Sequence, residues 1–522
     1  MTRKTDRRQG ATAAGPSARA QTVAVVVPDP ADAVPIVGLQ PPGAQIAVVC
    51  LRAGTKDARA ALERALTEAA GRGCQALGGV RVLGTDAGDA VAALLGELRA
   101  IGPHRLHTLD PDPAHVGVDE TSGVSSYGVP QAHARTAEQA LAAARAWQRE
   151  TGRILFVDCH RAGADPRLGA AACRRYPEPA NWLSAGFDGR LTAFAPTAGG
   201  VVRWWQEEPD RWRGPETVEG PGLLPGLCVV PDPHGFPNLF ALRRTVRADG
   251  GADVEVVQAA QYRVGRPLTP WLSLGGPNSA AWERGREVGF PTAAFDTAGN
   301  LFVFVRNFGH SISYRCRSVD GDWAAWRHLG GTRVADDLLA VTSGNGRVEV
   351  FARARDSAAV VRWYQGASGA WTEDRTVPFA ARPGTWAPAA EPGAVLFRDA
   401  HTNEASVWHP GTPAPCPLGE AEESGPLATA RHVEIDGWAY SVLVRPGPGG
   451  NCSVGAYPEG RPDLGVWWQD LRAPSYRGPA AAVSRDGRLA LGTWAAGDGL
   501  MVAFRREPEG GLTFGDWRPT SE

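Results

Sequence analysis

The feature that most restricts the fold is a repeat of roughly 48 residues that begins after about residue 180. Each unit has a turn rich in Asp, Asn and Gly followed by alternating apolar residues, as in FDGRLTAF (187–194) and GNGRVEVFAR (344–353). A second element that often contains Trp, such as GDWAAWRHLGG or VWWQDL, closes the unit. About seven units fit between 184 and 519, the fifth (385–426) being poorly defined. Short strands with a glycine turn and an aromatic anchor, repeated at this length, predict an all-β seven-bladed β-propeller.

The N-terminal part has a different pattern, in which short apolar runs alternate with helical ones. The predicted strands are 22–27, 45–50, 80–83, 105–109 and 153–157, and the predicted helices are 56–73, 87–102 and 136–150. Such alternation predicts an α/β domain with a mostly parallel sheet. Ligands of such sheets lie beyond the carboxyl ends of the strands, so residues 28–33, 52–55, 84–86 and 110–115 are expected to share one rim.

Composition limits the classes of partner. The 522 residues favour two domains, preceded by a flexible basic segment, residues 1–20. A net charge of −2 lacks the basic excess that nucleic-acid binding requires, so no nucleic-acid partner is expected. No apolar run is long enough for a membrane span, and the absence of a signal peptide predicts a cytoplasmic protein, or a secreted one if the true start lies upstream. The oligomeric state is left open.

Two carboxylates follow the first predicted strand in VVVPDPADAV. Asp29 and Asp32 could hold a metal ion, cap a helix or simply form a turn. His133, before the predicted helix 136–150, is either a metal ligand or a surface residue. Asp158 and His160 follow the last predicted strand and are interpreted as loop residues, because no Ser or Cys occupies a nucleophile elbow.

The order of these elements resembles the PIG-L (LmbE-like) family of zinc-dependent de-N-acetylases. The resemblance rests on the strand and acidic Pro loop, the second strand ending in VCLRAGT, and LHTLDPDPAH, and it covers about 21–175. It implies a Rossmann-like PIG-L domain over 21–178. The second half, 184–519, resembles the lectin-type propeller that is fused to some actinobacterial members, and FVFVRNFGHSISYRCRSVDGDWAAWRHLGG is the most specific passage.

The resemblance also implies a metal site and shows what has been lost from it. The family motif His-Pro-Asp-Asp-Glu aligns with Asp29, Pro30, Ala31, Asp32 and Ala33, so that Asp29 replaces a ligand His and Asp32 retains a ligand. In the second motif, Ala132 stands at the Asp and His133 retains the ligand. The resulting ligand set of Asp29, Asp32 and His133 would hold zinc poorly, and manganese, magnesium or no metal are the alternatives.

The general base of the family aligns with Ala31, which cannot accept a proton. General-base catalysis is worth about 10²–10⁴-fold in rate, so no catalytic residue is assigned. Four residues of the predicted rim could replace the base: Asp86, Asp110, Asp112 and His115. The expected function is therefore that of a non-catalytic or very weak homologue that binds carbohydrate, such as an N-acetylglucosamine conjugate, or a partner through its propeller. The alternatives are an atypical metal-dependent de-N-acetylase with a relocated base, and a carbohydrate-binding propeller with a structural N-terminal domain.

Overall fold

The computed structural model describes most of the chain. The described residues are 20–84, 89–111, 116–118, 125–127, 131–162, 172–246, 252–264, 266–278, 288–355, 357–366, 368–420, 425–447, 450–495, 499–506 and 511–520.

Within the described residues, the N-terminal part is built on one seven-stranded sheet and four helices. Its elements are β1 (Thr22–Val27), α1 (Pro30–Gly38), β2 (Gln45–Cys50), α2 (Lys56–Gly71), β3 (Gln75–Ala76), β4 (Arg81–Val82), α3 (Ala90–Ile101), β5 (Arg105–Leu109), β6 (Val116–Val118), β7 (Ser125–Tyr127), α4 (Gln131–Thr151), β8 (Phe156–Ala162) and β9 (Ala172–Arg174). The sheet order is β3-β2-β1-β5-β8-β9, with β4 also paired to β2, and only the β8–β9 pair is antiparallel. Strands β6 and β7 form a separate hairpin.

Alternate residues of β1 face opposite layers of helices. Val23 and Val25 pack in one apolar cluster with residues of α1 and α2, whereas Ala24 and Val26 pack in another with residues of α3 and α4. Both faces of the strand are buried, which explains why its sequence is a continuous apolar run rather than an alternating one.

Several boundaries differ from the sequence-based prediction. The acidic Pro loop, predicted at 28–33, instead gives way at Pro30 to α1, because Pro30 occupies a first-turn position where its missing N–H costs nothing and Asp29 caps the helix. The last strand is displaced from 153–157 to Phe156–Ala162, so Asp158 and His160 lie within it and not in a loop. Helix α4 begins at Gln131, which places His133 in its first turn. The predictions for β1, β2 and β5 are confirmed residue by residue.

The second part of the chain forms seven four-stranded antiparallel sheets, each from four consecutive strands, which confirms the seven-bladed propeller. We number the sheets as blades 1 to 7. Their strands are β10 (Leu183–Ala185), β11 (Leu191–Thr197), β12 (Gly200–Glu208) and β13 (Arg211–Glu219) in blade 1; β14 (Cys228–Pro231), β15 (Pro237–Val246), β16 (Ala252–Ala260) and β17 (Leu272–Gly275) in blade 2; β18 (Thr292–Phe295), β19 (Leu301–Arg306), β20 (Ile312–Arg317) and β21 (Arg327–Gly330) in blade 3; β22 (Val334–Thr342), β23 (Val348–Ala354), β24 (Val360–Gln365) and β25 (Trp371–Asp374) in blade 4; β26 (Ala387–Pro388), β27 (Val395–Arg398), β28 (Glu404–Trp408) and β29 (Cys416–Glu420) in blade 5; β30 (Ala428–Ile435), β31 (Trp438–Gly447), β32 (Asn451–Pro458) and β33 (Trp467–Pro474) in blade 6; β34 (Ala480–Val483), β35 (Leu489–Ala495), β36 (Gly499–Phe504) and β37 (Arg518–Pro519) in blade 7.

Tryptophans join neighbouring blades. The indole Nε1 of Trp326 in blade 3 donates to the Leu274 carbonyl of blade 2 at 2.8 Å, and Trp468 of blade 6 donates to Leu418 of blade 5 at 2.7 Å. Trp182, ahead of blade 1, donates to Gly478 ahead of blade 7 at 2.9 Å, and its ring lies 4.5 Å from that of Trp494. These indoles bury a large apolar surface and still satisfy their single donor.

The N-terminal part is fixed to the propeller through two buried groups of charges. In the first, which we call the Glu178 network, Glu178 contacts Arg105 (3.3 Å), Arg174 (2.7 Å) and Arg477 (3.3 Å), and Arg105 also pairs with Asp158. In the second, the Asp336 network, Asp336 of blade 4 contacts Arg161, Arg175 and Arg306, and Arg161 also contacts Asp110 at 2.7 Å. Apolar clusters continue across the same boundary, so the two parts share a core.

No helix within the described ranges is both long and apolar enough to cross a bilayer.

Candidate functional site

The first turns of two helices meet at the carboxyl end of β1. Asp32 lies in the first turn of α1 and His133 in the first turn of α4, and the Oδ1 of Asp32 is 3.2 Å from the Nε2 of His133. Both side chains are mostly buried, with 15% and 18% of their surface exposed. The second carboxylate oxygen of Asp32, Oδ2, is buried and has no hydrogen-bond partner among the described residues.

Asp29 lies beside Asp32 and His133 but acts as the N-cap of α1. Its Oδ1 accepts a hydrogen bond from the backbone N–H of Ala31 at 3.1 Å, so the side chain caps α1. Gly54, at φ +62°, approaches so closely that a Cβ there would stand 3.0 Å from both Asp29 carboxylate oxygens and 2.7 Å from Pro30. Burial raises the pKa of the neighbouring Cys50 thiol to about 12, and the carboxylates of Asp29 and Asp32 add to this shift, so the thiol stays protonated.

The donors at this rim do not complete a catalytic zinc centre. Such a centre needs three protein ligands and one open position. Asp32 and His133 converge, but in the described part of the chain no group of three or more His, Cys, Asp or Glu side chains is placed to hold a metal ion. The unpaired Oδ2 of Asp32 would suit a water molecule or a weakly held cation. Metal binding by Asp29, Asp32 and His133 stays a prediction, and no hydrolytic step is assigned to it.

One of the four candidate replacement bases lies in the domain interface. Asp110 is only 1% exposed and contacts the guanidinium groups of Arg161 and Arg175, which also contact Asp336 of the propeller. This carboxylate is enclosed by arginines and does not face an open rim. Asp86, Asp112 and His115 lie outside the described residues.

The histidine of β8 is also buried. The Nε2 of His160 lies 2.8 Å from the Nδ1 of His107 on β5, and the rings are stacked with centroids 5.0 Å apart. Burial lowers the pKa of His160 to about 4 and that of His107 well below its usual value. Both imidazoles are therefore neutral at pH 7, and with 1% and 3% exposure they meet no substrate.

An exposed aromatic surface lies on blade 6. It consists of Trp438, Tyr440 and Trp467, and we call it the blade 6 aromatic surface. Trp438 is 71% exposed and Trp467 47%, whereas Trp204 and Trp363 are 0% and 2% exposed. The rings of Tyr440 and Trp467 meet edge to face with centroids 6.2 Å apart. Large exposed apolar groups that are clustered mark binding surfaces more often than isolated ones do.

The geometry of the strands explains this surface. Trp438 and Tyr440 are two residues apart on β31 and point to the same face of the blade, and Trp467 pairs with Ala456, which is buried on that face. Tyr440 packs against the apolar cluster that blade 6 shares with blade 7, as do Phe514 and Trp517 of blade 7. The surface therefore lies at the seam between blades 6 and 7.

Polar groups border the blade 6 aromatic surface. The Nδ1 of His432 lies 2.8 Å from the Oε2 of Glu459, and the backbone N–H of Glu459 donates to Ala439, between Trp438 and Tyr440. Arg461 and Asp463 form a bidentate, exposed pair at 2.9 and 2.8 Å in the turn that precedes Trp467. Apolar rings with donors and acceptors at their edge suit a ligand that is itself amphipathic.

Sequence reasoning did not single out these three residues. VWWQDL was recognised as a closing element, but only the strand register separates Trp467, which faces solvent, from Trp468, which anchors blade 5. The available signal was the DGW turn at 436–438, where a Trp directly follows the turn glycine, a position that Arg or Asn occupies in the units at 187–194, 297–307, 344–353 and 484–494.

Comparison with known proteins finds similarity in structure alone. No family model and no curated protein matches this chain. Among solved structures, BP39L lectin from Burkholderia pseudomallei is 14% identical over 65% of this chain and 99% of its own, with a TM-score of 0.48. A putative 6-phosphogluconolactonase from Bacteroides uniformis is 12% identical over 64% and 98%, with a TM-score of 0.42. The fucose-specific lectin from Aleuria aurantia is 13% identical over 57% and 96%, with a TM-score of 0.34. These values assign no ligand to this chain.

Proposed function

We propose that this chain is a non-catalytic carbohydrate-binding protein whose ligand, such as an N-acetylglucosamine-containing conjugate, binds at the blade 6 aromatic surface. The observation that carries the proposal is the exposure of Trp438 and Trp467 beside Tyr440, whereas Trp182, Trp326 and Trp468 anchor neighbouring blades. A sugar ring has an apolar face of C–H groups and a polar edge of hydroxyls. The apolar face would stack on the indoles, and His432, Glu459 or Arg461 would bind the hydroxyls.

The alternative placement of the ligand on the N-terminal rim has weaker support. Asp32 and His133 offer two converging donors, but Asp29 is engaged as a helix cap and Ala31 cannot accept a proton. The N-terminal part accordingly acts as a structural partner of the propeller, to which the Glu178 and Asp336 networks bind it.

A glycan array tests the proposal directly. The intact wild-type chain should bind a subset of glycans, and Trp438→Ala and Trp467→Ala should each weaken that binding by up to about tenfold, because stacking on one aromatic ring contributes ~0.5–1.5 kcal/mol. Tyr262→Ala is the matched control, since Tyr262 is 68% exposed on blade 2 and should be neutral. Equal binding by all four proteins, or no binding by the wild type, would refute this site.

The second candidate function is a metal-dependent de-N-acetylase, favoured only by the 3.2 Å contact between Asp32 and His133. An acetate-release assay on N-acetylglucosamine substrates, with and without added Zn²⁺, tests it in the intact protein. Acetate release that is lost in His133→Ala would establish the hydrolase and displace the non-catalytic interpretation of this domain.

A further inference from the structure

Two buried histidines lie beside the boundary between the N-terminal part and the propeller. His107 on β5 pairs with Asp158 on β8, two residues before His160, so all three side chains point to the same face of the sheet. The Nδ1 of His107 and the Nε2 of His160 are 2.8 Å apart and share one hydrogen bond. The outer nitrogens, Nε2 of His107 and Nδ1 of His160, are buried and have no hydrogen-bond partner among the described residues.

The charged groups that act on the two rings are Asp158, Arg105 and Arg174. The Oδ2 of Asp158 lies 3.9 Å from the Nε2 of His107, so this carboxylate favours a proton on that nitrogen, and His160 then donates its Nε2–H to His107. A further proton must go to the Nδ1 of His160, where it would be buried without an acceptor. It would also add a positive charge near Arg105 and Arg174. Protonation is therefore unfavourable while the pair remains buried.

The carboxylate of Asp158 connects the histidines to the boundary. Asp158 pairs with Arg105, and Arg105 in turn donates to the Tyr476 carbonyl at 2.7 Å. Arg105 also contacts Glu178 at 3.3 Å. Arg477, ahead of blade 7, lies 3.9 Å from Asp158 and 3.3 Å from Glu178. A positive imidazolium beside Asp158 would repel these arginines and compete with them for the carboxylate, which weakens the contacts that hold the two parts together.

We propose that the His107–His160 pair is an acid-sensitive switch, which keeps this boundary closed at neutral pH and opens it when the histidines take up protons. Opening hydrates both rings and restores the ordinary basicity of histidine, so the open form binds more protons than the closed form. Burial lowers the pKa of His160 in the closed form from 6.5 to about 4, and the pKa of His107 is also well below 6.5. The stability that the neutral pair gives to the closed form is thus fully present above pH 6.5 and is lost as the pH falls toward 4. The switch does not depend on the ligand proposed for the blade 6 aromatic surface.

Hydrogen–deuterium exchange of the intact chain at pH 7 and pH 5 tests the switch. Two amides report on the boundary: that of Ala198 in blade 1 donates to the Leu155 carbonyl at 3.0 Å, and that of Gly478 donates to Glu178 at 3.1 Å. Strands β27 and β28 of blade 5 are the reference, and carboxylates of ordinary pKa stay mostly ionised at pH 5. Relative to this reference, opening of the boundary should increase at pH 5 by roughly 30-fold from the titration of His160 alone. No relative increase at the boundary would overturn the proposal.

Variants that lack the titrating rings separate a switch from a purely structural pair. In the double variant His107→Asn with His160→Gln, amide groups replace the ring nitrogens and take up no proton, so exchange at the boundary relative to blade 5 should be equal at pH 5 and pH 7. His432→Gln is the matched control, because it removes an exposed histidine of blade 6 and should respond to acid like the wild type. If the double variant does not fold, His160→Gln alone should lose most of the response, because the further proton goes to His160. An acid response that persists without these rings, or that is lost in His432→Gln, would overturn the assignment.

Discussion

The Oδ1 of Asp32 lies 3.2 Å from the Nε2 of His133, although 101 positions separate them (133 − 32) in the chain. The contact joins the first turn of α1 to that of α4 at the carboxyl end of β1. The positive ends of both helix dipoles are directed at this point, which stabilises the Asp32 carboxylate. An anionic oxygen and an imidazole nitrogen thus lie together where the sequence resemblance to PIG-L proteins predicts two metal ligands.

Restoring the missing groups should increase metal affinity. The double substitution Asp29→His and Ala31→Asp adds a nitrogen ligand and a carboxylate beside Asp32 and His133, and we expect tighter Zn²⁺ binding than in the wild type by calorimetry, even without activity. It should also cost about 0.5–2 kcal/mol of stability, because the cap of α1 provided by Asp29 is lost. Adding His133→Ala to the double variant is the control and should abolish the gain. No gain would show that the alignment of these loops is wrong.

Only part of this rim could be predicted from the sequence. Strands β1 and β2 were predictable because buried parallel strands have continuous apolar sequences. Helix α1 was not, because a nine-residue segment with Pro30 and Pro35 has the composition of a loop, and only the Asp29 cap and burial of Ile36 and Val37 hold it as a helix. Asp32 and His133 could be paired only through a family resemblance, since no local pattern specifies a contact between distant helices.

In the propeller, too, the number of blades could be predicted from the sequence but the side-chain contacts could not. The turn-and-Trp repeat was enough to predict seven blades, including the irregular fifth. Blade contacts were not predictable, because the exposure of Trp467 and the partial burial of Trp468 depend on strand register and not on residue type.

Removing the central carboxylate of the domain interface should be strongly destabilising. Glu178→Gln leaves the buried Arg105 and Arg477 and the partly exposed Arg174 with less compensating charge, and breaking a buried ion network in this way costs ~3–5 kcal/mol. The matched control is Glu150→Gln, which removes an exposed bidentate pair with Arg99 and should cost less than ~1 kcal/mol. Urea unfolding of the wild type, Glu178→Gln and Glu150→Gln measures the free energy of unfolding that each substitution removes. Equal stability of the two variants would contradict the proposed role of the Glu178 network.

The seam between blades 5 and 6 should be sensitive to acid. Glu391 of blade 5 accepts from the Ser441 hydroxyl at 2.7 Å and the Tyr457 hydroxyl at 3.0 Å, both in blade 6. Burial opposes its charge, but the contact with His409 and the hydrogen bond from Ser441 prevail and lower the pKa of Glu391 to about 2. Its folded pKa lies below its ordinary value of 4.5, so the stability it contributes is present above pH 4.5 and is lost as the pH falls toward 2.

Glu391→Gln should therefore be less stable than the wild type at pH 7 and should lose less stability between pH 4.5 and 2. Thermal melts of both proteins across this pH range show how steeply the stability of each falls as the pH is lowered. Asp463→Asn, at an exposed position of blade 6, is the control and should follow the wild type. Parallel curves for Glu391→Gln and the wild type would show that this carboxylate does not hold the seam.

Closure of the ring depends on a glycine at the contact between blades 1 and 7. The carbonyl of Gly189 accepts from the backbone N–H of Arg485 at 2.8 Å, and a Cβ on Gly189 would lie 2.6 Å from the Arg485 Cα. Gly189 also has φ +73°. Gly189→Ala thus combines backbone strain with a clash against main-chain atoms that cannot move without opening the seam, and we expect a loss of more than ~2 kcal/mol in urea unfolding.

Gly487→Ala separates the cost of backbone strain from the cost of the steric clash. Gly487 has φ +77° in the corresponding turn of blade 7, but a Cβ there would meet no atom within 4 Å. This variant should lose only the ~1–2 kcal/mol of the left-handed conformation. The excess loss in Gly189→Ala then measures the close approach of blade 1 to blade 7. Equal losses would mean that the seam between blades 1 and 7 adjusts to an extra methyl group at Gly189.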